Sequence, residues 1–100
     1  MTRGALWITF YREITNPAAF TRYGALGVPA VIAGGGRFVS RGNAAALFET
    51  GATSKSPRTV VIEFPTTAAA IATYNSAAYR EALAALGDGA VRDLRIVDMP

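Results

Sequence analysis

Two stretches of this chain echo one another. Thr15-Asn16-Pro17-Ala18-Ala19-Phe20-Thr21-Arg22-Tyr23 aligns in register with Thr66-Thr67-Ala68-Ala69-Ala70-Ile71-Ala72-Thr73-Tyr74. Each follows a strand-like run through a short turn and leads into a helix bearing a tyrosine, so the chain reads as two β-α-β halves. Joined, they give β-α-β-β-α-β, the ferredoxin-like plan of the α+β class. Connection rules put the helices on one face of a single antiparallel sheet. With 100 residues, 51% of them apolar, the chain is read as one domain over 1–100 with enough apolar matter for a core.

The first strand is expected over Ala5–Arg12, with Leu6, Ile8 and Phe10 on one face and Trp7, Thr9 and Tyr11 on the other. Asn16 is placed to cap a helix opened by Pro17. Phe20, Tyr23, Gly27 and Val31 form its inward stripe. Pro29 should kink that helix or end its regular part, and Gly34-Gly35-Gly36 stop it after Ala33. A second strand is expected over Arg37–Arg41, with a bulge or bend at Gly42-Asn43 and a continuation through Ala44 to Glu49. Thr50 to Pro57 reads as an exposed hairpin loop. Arg58–Phe64, β-branched and closed by Pro65, is the clearest strand. A helical region from Thr66 splits at Asn75-Ser76, where Ser76 caps a continuation over Ala77–Leu86. Gly87-Asp88-Gly89 then turns into a last strand over Val91–Asp98.

Helices on one side leave the other side of the sheet to water, and a face so exposed should be polar. Here neither set of alternating residues is. With Leu6/Ile8/Phe10, Val60/Ile62/Phe64 and Leu94/Ile96 placed under the helices, the uncovered face carries Trp7, Tyr11, Val61 and Val97. Such a patch marks an interface, and at about 25 cal/mol per Å² its burial contributes several kcal/mol. Pairing with a second copy is the simplest cover, so a homodimer is expected. By parity the same face also holds Thr9, Glu63 and Arg95, with either Arg37/Arg41 or Ser40 from the second strand. That mixture describes a pocket better than a plain core.

Composition removes whole classes of chemistry. The chain has no cysteine and no histidine, so disulfides, thiolate sites and Ser-His or Cys-His nucleophiles are excluded, as is histidine-ligated haem. No metal site and no cofactor is expected. Asp88, Asp93 and Asp98 recur at even spacing but around a turn and strand, where they do not converge on magnesium. Ten Lys and Arg against seven acids leave a charge of +3. The arginines are scattered rather than gathered into the stripe a nucleic-acid face needs. Gly36-Arg37-Phe38-Val39 has only a fragment of the aromatic pattern of an RNA-recognition strand. No run is long enough for a membrane span, and no secretory leader is evident, so the expectation is a cytoplasmic protein.

Candidate site residues carry competing explanations. Glu63, inside the best strand, is either a general base or ligand anchor, or the structural partner of Arg37, Arg41 or Arg58. Arg37 and Arg41 either clamp an anion from one strand face or keep an edge strand soluble. Tyr23, Tyr74 and Tyr79 are core residues or, with Trp7 and Tyr11, the walls of an aromatic cavity. Gly34 to Gly36 lack the companions of a phosphate loop, and helix termination explains them better.

Thr15-Asn16-Pro17-x-x-Phe20-x-x-Tyr23, Gly35-Gly36-Arg37-Phe38-x-x-Arg41-Gly42, Arg58-x-Val60-Val61-Ile62-Glu63-Phe64-Pro65 and Tyr74-x-Ser76-x-x-Tyr79, in this order, resemble the domain of unknown function (DUF) 1330 family. The resemblance implies a dimeric α+β barrel, two ferredoxin-like protomers packed sheet to sheet, in a superfamily that includes cofactor-free monooxygenases, isomerases, haem enzymes and small stress proteins. It implies no activity, since the family has none assigned. Two positions depart from the family pattern. Thr73 stands where an aromatic is usual and Ala78 where a Glu is common, which thins the polar and aromatic lining there.

The function expected from these residues is binding or transformation of a small aromatic or carboxylate-bearing molecule, between sheet and helices or at the dimer seam. Glu63 and Arg41 would be the reactive pair, with Arg37, Trp7, Tyr11, Tyr23, Tyr74 and Tyr79 as ligand contacts. The alternative is a non-catalytic dimerisation or stress-associated module without a substrate.

Overall fold

A computed structural model describes residues 4–49 and 55–100. The elements run β1 (Ala5–Ile14), α1 (Pro17–Ala33), β2 (Arg37–Asn43), β3 (Arg58–Phe64), α2 (Thr67–Tyr74), α3 (Ala77–Leu86) and β4 (Ala90–Asp98). The four strands form one sheet in the order β2-β3-β1-β4, every neighbouring pair antiparallel. This is the ferredoxin-like α+β arrangement expected from the echo.

The capping signals at Asn16 and Ser76 act as anticipated: they accept hydrogen bonds from the Ala19 and Tyr79 amides. Thr66, expected only to begin the second helical region, caps α2 by accepting from Ala69. The split at Asn75-Ser76 is real. Pro29 does not end α1, which runs unbroken to Ala33; Pro29 and Ala25 both lie on the exposed side, so the carbonyl that the proline leaves without its helical donor is not on the buried face. Gly35 adopts the left-handed φ of 95° at the helix exit. A Cβ on Gly34 would sit 1.8 Å from Thr73 Oγ1, so the triglycine is explained by chain exit and by the close approach of α1 to α2.

Three expectations are corrected. The second strand ends at Asn43, and residues 44–49 do not extend it. The irregularity in β2 lies between Phe38 and Ser40, at Val39, rather than at Gly42-Asn43. Of the expected loop, residues 50–54 lie outside the described residues, while the Lys55 amide bonds back to the Arg12 carbonyl at 2.6 Å. Among the described residues no helix is long and apolar enough to cross a membrane.

The third correction concerns the faces of the sheet. Trp7, Thr9 and Tyr11 point to the helices and are 1%, 2% and 3% exposed, whereas Phe10 on the other face is 46% exposed. Leu6, Ile8 and Phe10 thus lie on the open side, opposite to the sequence expectation. The cause is cross-strand register: Trp7 pairs with Ile62 and with Ile96, and Ile62 pairs with Phe38, which makes one continuous apolar row beneath the helices. Trp7 stacks on Phe64 at 5.8 Å and meets Tyr79 of α3 edge-on at 5.1 Å. Alternation alone says which residues share a face, not which face the helices choose.

Candidate functional site

Three rows of side chains cross the helix-covered face of the sheet. The first is Phe38–Ile62–Trp7–Ile96, wholly apolar. The second is Arg41–Val60–Thr9–Leu94. Tyr11 pairs with Arg92, and the next step of the β1–β3 register beyond Phe10 and Thr59 sets Tyr11 beside Arg58, so the third row is Arg58–Tyr11–Arg92. Polarity therefore rises along the strands, from hydrocarbon and indole at one end to guanidinium and phenol at the other.

Helix α1 lies over the β1, β3 and β2 side of these rows without filling the space beneath it. A cavity of about 400 Å³ remains. Its floor is Trp7, Thr9, Tyr11, Val60 and Ile62; Phe20, Tyr23, Gly24 and Val31 roof it from α1; and Phe38, Arg41 and Arg58 close the edge. No Asp or Glu lines it. Gly24 contributes to the opening, because a Cβ built there meets nothing within 4 Å.

The charged groups at the polar end lack carboxylate partners. Among the described residues the ion pairs are Arg12–Asp93, Arg37–Glu63 and Lys55–Glu13, and none involves Arg41, Arg58 or Arg92. Arg41 lies over the Phe38 ring at 4.7 Å and Arg58 over Phe20 at 5.1 Å. Among the described residues the buried Nε of Arg58 has no hydrogen-bond partner. Arg92 instead donates to three phenols: Tyr11 at 3.3 Å, Tyr23 at 3.0 Å and Tyr79 at 3.1 Å. Tyr23 and Tyr79 share a further hydrogen bond of 2.6 Å. Burial pushes the pKa of all three phenols up from 10.0, more than the nearby Arg92 charge pulls it down. They stay protonated and act as hydrogen-bond donors as well as acceptors.

The expected site residues divide between three places. Trp7, Tyr11, Tyr23 and Arg41 line the cavity, and Tyr79 stands directly behind Tyr23. Tyr74 faces away from it, packing on Trp7 and Tyr79 beside a shallow groove with Ile71, Leu94 and Ile96. Glu63 and Arg37 lie on the open face of the sheet and bond to each other. The bulge at Val39 is what separates Arg37 from Arg41, since one extra residue sends the two side chains to opposite faces. Glu63 and Arg41 therefore do not meet in one site. Sequence reasoning missed Arg92, and it considered Arg58 only as a partner for Glu63. Arg92 had a usable signal: it shares strand parity with Leu94 and Ile96, which marks it as a cation pointing under the helices.

The chain matches the family described as domain of unknown function (DUF1330) over residues 4–100. No curated protein matches it. Among solved structures it resembles the RPA0582 protein of unknown function from Rhodopseudomonas palustris, with 19% identity and a TM-score of 0.76 over 99% of this chain and 82% of that one. A dimeric ferredoxin-like protein of unknown function from Thermobifida fusca is 16% identical, with a TM-score of 0.67 over 99% of this chain and 93% of that one. SnoaB, a cofactor-independent oxygenase from Streptomyces nogalater, is 11% identical, with a TM-score of 0.67 over 98% of this chain and 94% of that one. At these identities the likeness concerns the fold alone.

Proposed function

The chain belongs to the DUF1330 family of domains of unknown function, and for this member we propose that the cavity under α1 binds a small aromatic or carboxylate-bearing molecule. The cavity itself carries this reading: about 400 Å³ walled by Trp7, Tyr11, Phe20 and Tyr23, with guanidinium groups that have no carboxylate partner among the described residues. Small-molecule sites typically span roughly 300–1,000 Å³ and combine apolar walls with a few polar groups. The reading includes a homodimer formed through the open face, where Leu6, Ile8, Phe10, Val61 and Val97 lie, with the Arg37–Glu63 pair at its border. The dimeric neighbour from Thermobifida fusca supports it.

The wall supplies phenol and guanidinium donors but no carboxylate, imidazole or thiol. Such a wall binds and stabilises negative charge; it offers no protein nucleophile of the Ser-His or Cys-His kind. If the bound molecule is also transformed, proton transfer or cofactor-free oxygenation suits these groups better than hydrolysis, and the oxygenase neighbour supports the second of these. The competing reading, a dimerisation module without a substrate, draws on Arg37 and Glu63, two expected site residues that satisfy one another.

Gly24→Leu separates the two. The added side chain enters open space from a helical position that glycine disfavours. Calorimetric titration with a panel of aromatic and aliphatic carboxylic acids is expected to show binding to the wild type and none to the variant, whose Tm is not lowered. Identical titrations of the two proteins, or no binding to either, would defeat the ligand reading.

A further inference from the structure

Hydrogen-bond bookkeeping inside the cavity goes further than its size. Tyr11, Tyr23 and Tyr79 bring three hydroxyl protons, and the Tyr23–Tyr79 bond uses one. The Arg92 guanidinium donates to all three oxygens and accepts nothing. Two phenol protons are thus left without an acceptor among the described residues. Thr9 adds another: its oxygen accepts from Trp7 Nε1 at 3.1 Å, and its own proton is undirected. Arg58 adds its buried Nε–H, which has no partner among the described residues. A buried polar group without a partner costs free energy, and here the surplus is all of one kind. Donors exceed acceptors, and no carboxylate lines the cavity to correct the imbalance.

The surplus is also localised. Tyr11 and Arg58 belong to the third row and Tyr23 hangs over it from α1, with Phe20 bridging them: its ring is 5.3 Å from Tyr11 and 5.1 Å from the Arg58 guanidinium carbon. Thr9 is one row inward. The first row, Phe38–Ile62–Trp7, with Val31 above it, offers only hydrocarbon and indole. Two rows of the strand pleat separate the ends by about 13 Å.

We propose that the cavity takes an amphipathic organic anion in a single orientation, with its apolar body against Trp7, Val31, Phe38 and Ile62 and its anionic oxygens at Tyr11, Tyr23 and Arg58. The proposal rests on the cavity being a ligand site. Arg92 is a positioning residue in this arrangement. It holds the phenol oxygens from behind, so that the protons of Tyr11 and of the Tyr23–Tyr79 pair turn toward the ligand. Raised phenol pKa values fit this role, because the phenols keep those protons through the neutral range.

The test pairs 2-naphthoate with 2-naphthylmethanol, which share an apolar body and differ in charge, in calorimetric titrations of the intact protein. The wild type is expected to bind the carboxylate at least about tenfold more tightly, as charge-assisted hydrogen bonds do over neutral ones. Tyr11→Phe and Arg58→Met are each expected to cut that preference by about fivefold, because each lost donor weakens the charged carboxylate by more than the neutral alcohol. A general collapse of the pocket would weaken both ligands by the same factor, and that outcome overturns the proposal. Equal affinity of the two probes for the wild type also overturns it, yet leaves the cavity standing as a ligand site. Failure of both probes to bind overturns the ligand reading, and the orientation falls with it.

Discussion

The two faces of this sheet are built from the same strands and differ in the surface they present. On the helix side the middle strand presents Trp7, Thr9 and Tyr11, large or polar side chains that leave a cavity and meet unpaired cations. On the open side it presents Leu6, Ile8 and Phe10, hydrocarbon without hydrogen-bonding groups; nearby, Arg37 pairs with Glu63 and Arg12 with Asp93, while Arg95 beside Ile8 is in no ion pair among the described residues. A face that pairs most of its charges and is otherwise largely apolar suits the flat, self-complementary contact of a symmetric dimer. A face that leaves cations and phenols unsatisfied suits a ligand that supplies the missing acceptors. Alternation along a strand is enough to keep the two roles apart.

The contrast can be broken most severely at Trp7. Trp7→Ala removes the residue that ties the floor of the cavity to Phe64, Tyr74 and Tyr79. It is expected to lose about 3–5 kcal/mol in urea unfolding; a loss below 1 kcal/mol would mean that the helix-side face is not the core. On the other side, Ile8→Lys sets a second cation beside Arg95, its register partner, in the middle of the open face. The expected outcome is a dimer dissociation constant raised at least about a hundredfold in sedimentation, since an unpaired charge resists burial. Ligand binding in the cavity should be unchanged. An unaltered dimer would move the interface elsewhere.

Alkaline pH sharpens the comparison more gently. Burial raises the phenol pKa values of the folded protein above 10.0, so the unfolded chain loses these protons first. Their contribution is fully present below pH 10 and declines as pH climbs toward the folded values. Thermal unfolding should show Tm falling above pH 10, with a shallower fall in Tyr23→Phe. An equal slope in the two proteins would show that the cluster does not hold its protons as described. The smallest effect belongs to Glu63→Gln. Its partner Arg37 is 70% exposed, so solvent screening keeps the loss under about 1 kcal/mol. Affinity for cavity ligands should not change, and a large drop would return Glu63 to the ligand site.

Much of the fold was legible because its signals are local. Asn16, Thr66 and Ser76 cap helices through bonds spanning three residues, and Gly35 ends α1 through its own φ. The candidate site was legible in its parts. Trp7, Tyr11, Tyr23 and Arg41 are expected from the sequence, and all four line the cavity. The pairing of Glu63 with Arg41 failed because a bulge at Val39 depends on strand register, which no stretch of β2 reveals by itself.

The amino-acid order alone determined the succession of elements, the ferredoxin-like topology and the set of residues that share each side of a strand, since these follow from periodicity, capping and short-range geometry. Only the tertiary structure decided which side faces the helices, that Arg92 gathers three phenols from β1, α1 and α3, and that Arg58 rather than Glu63 belongs to the cavity. Those outcomes depend on competition between two nearly equal apolar surfaces. That competition is resolved by packing bulk and cross-strand register, and both exist only once distant segments have met.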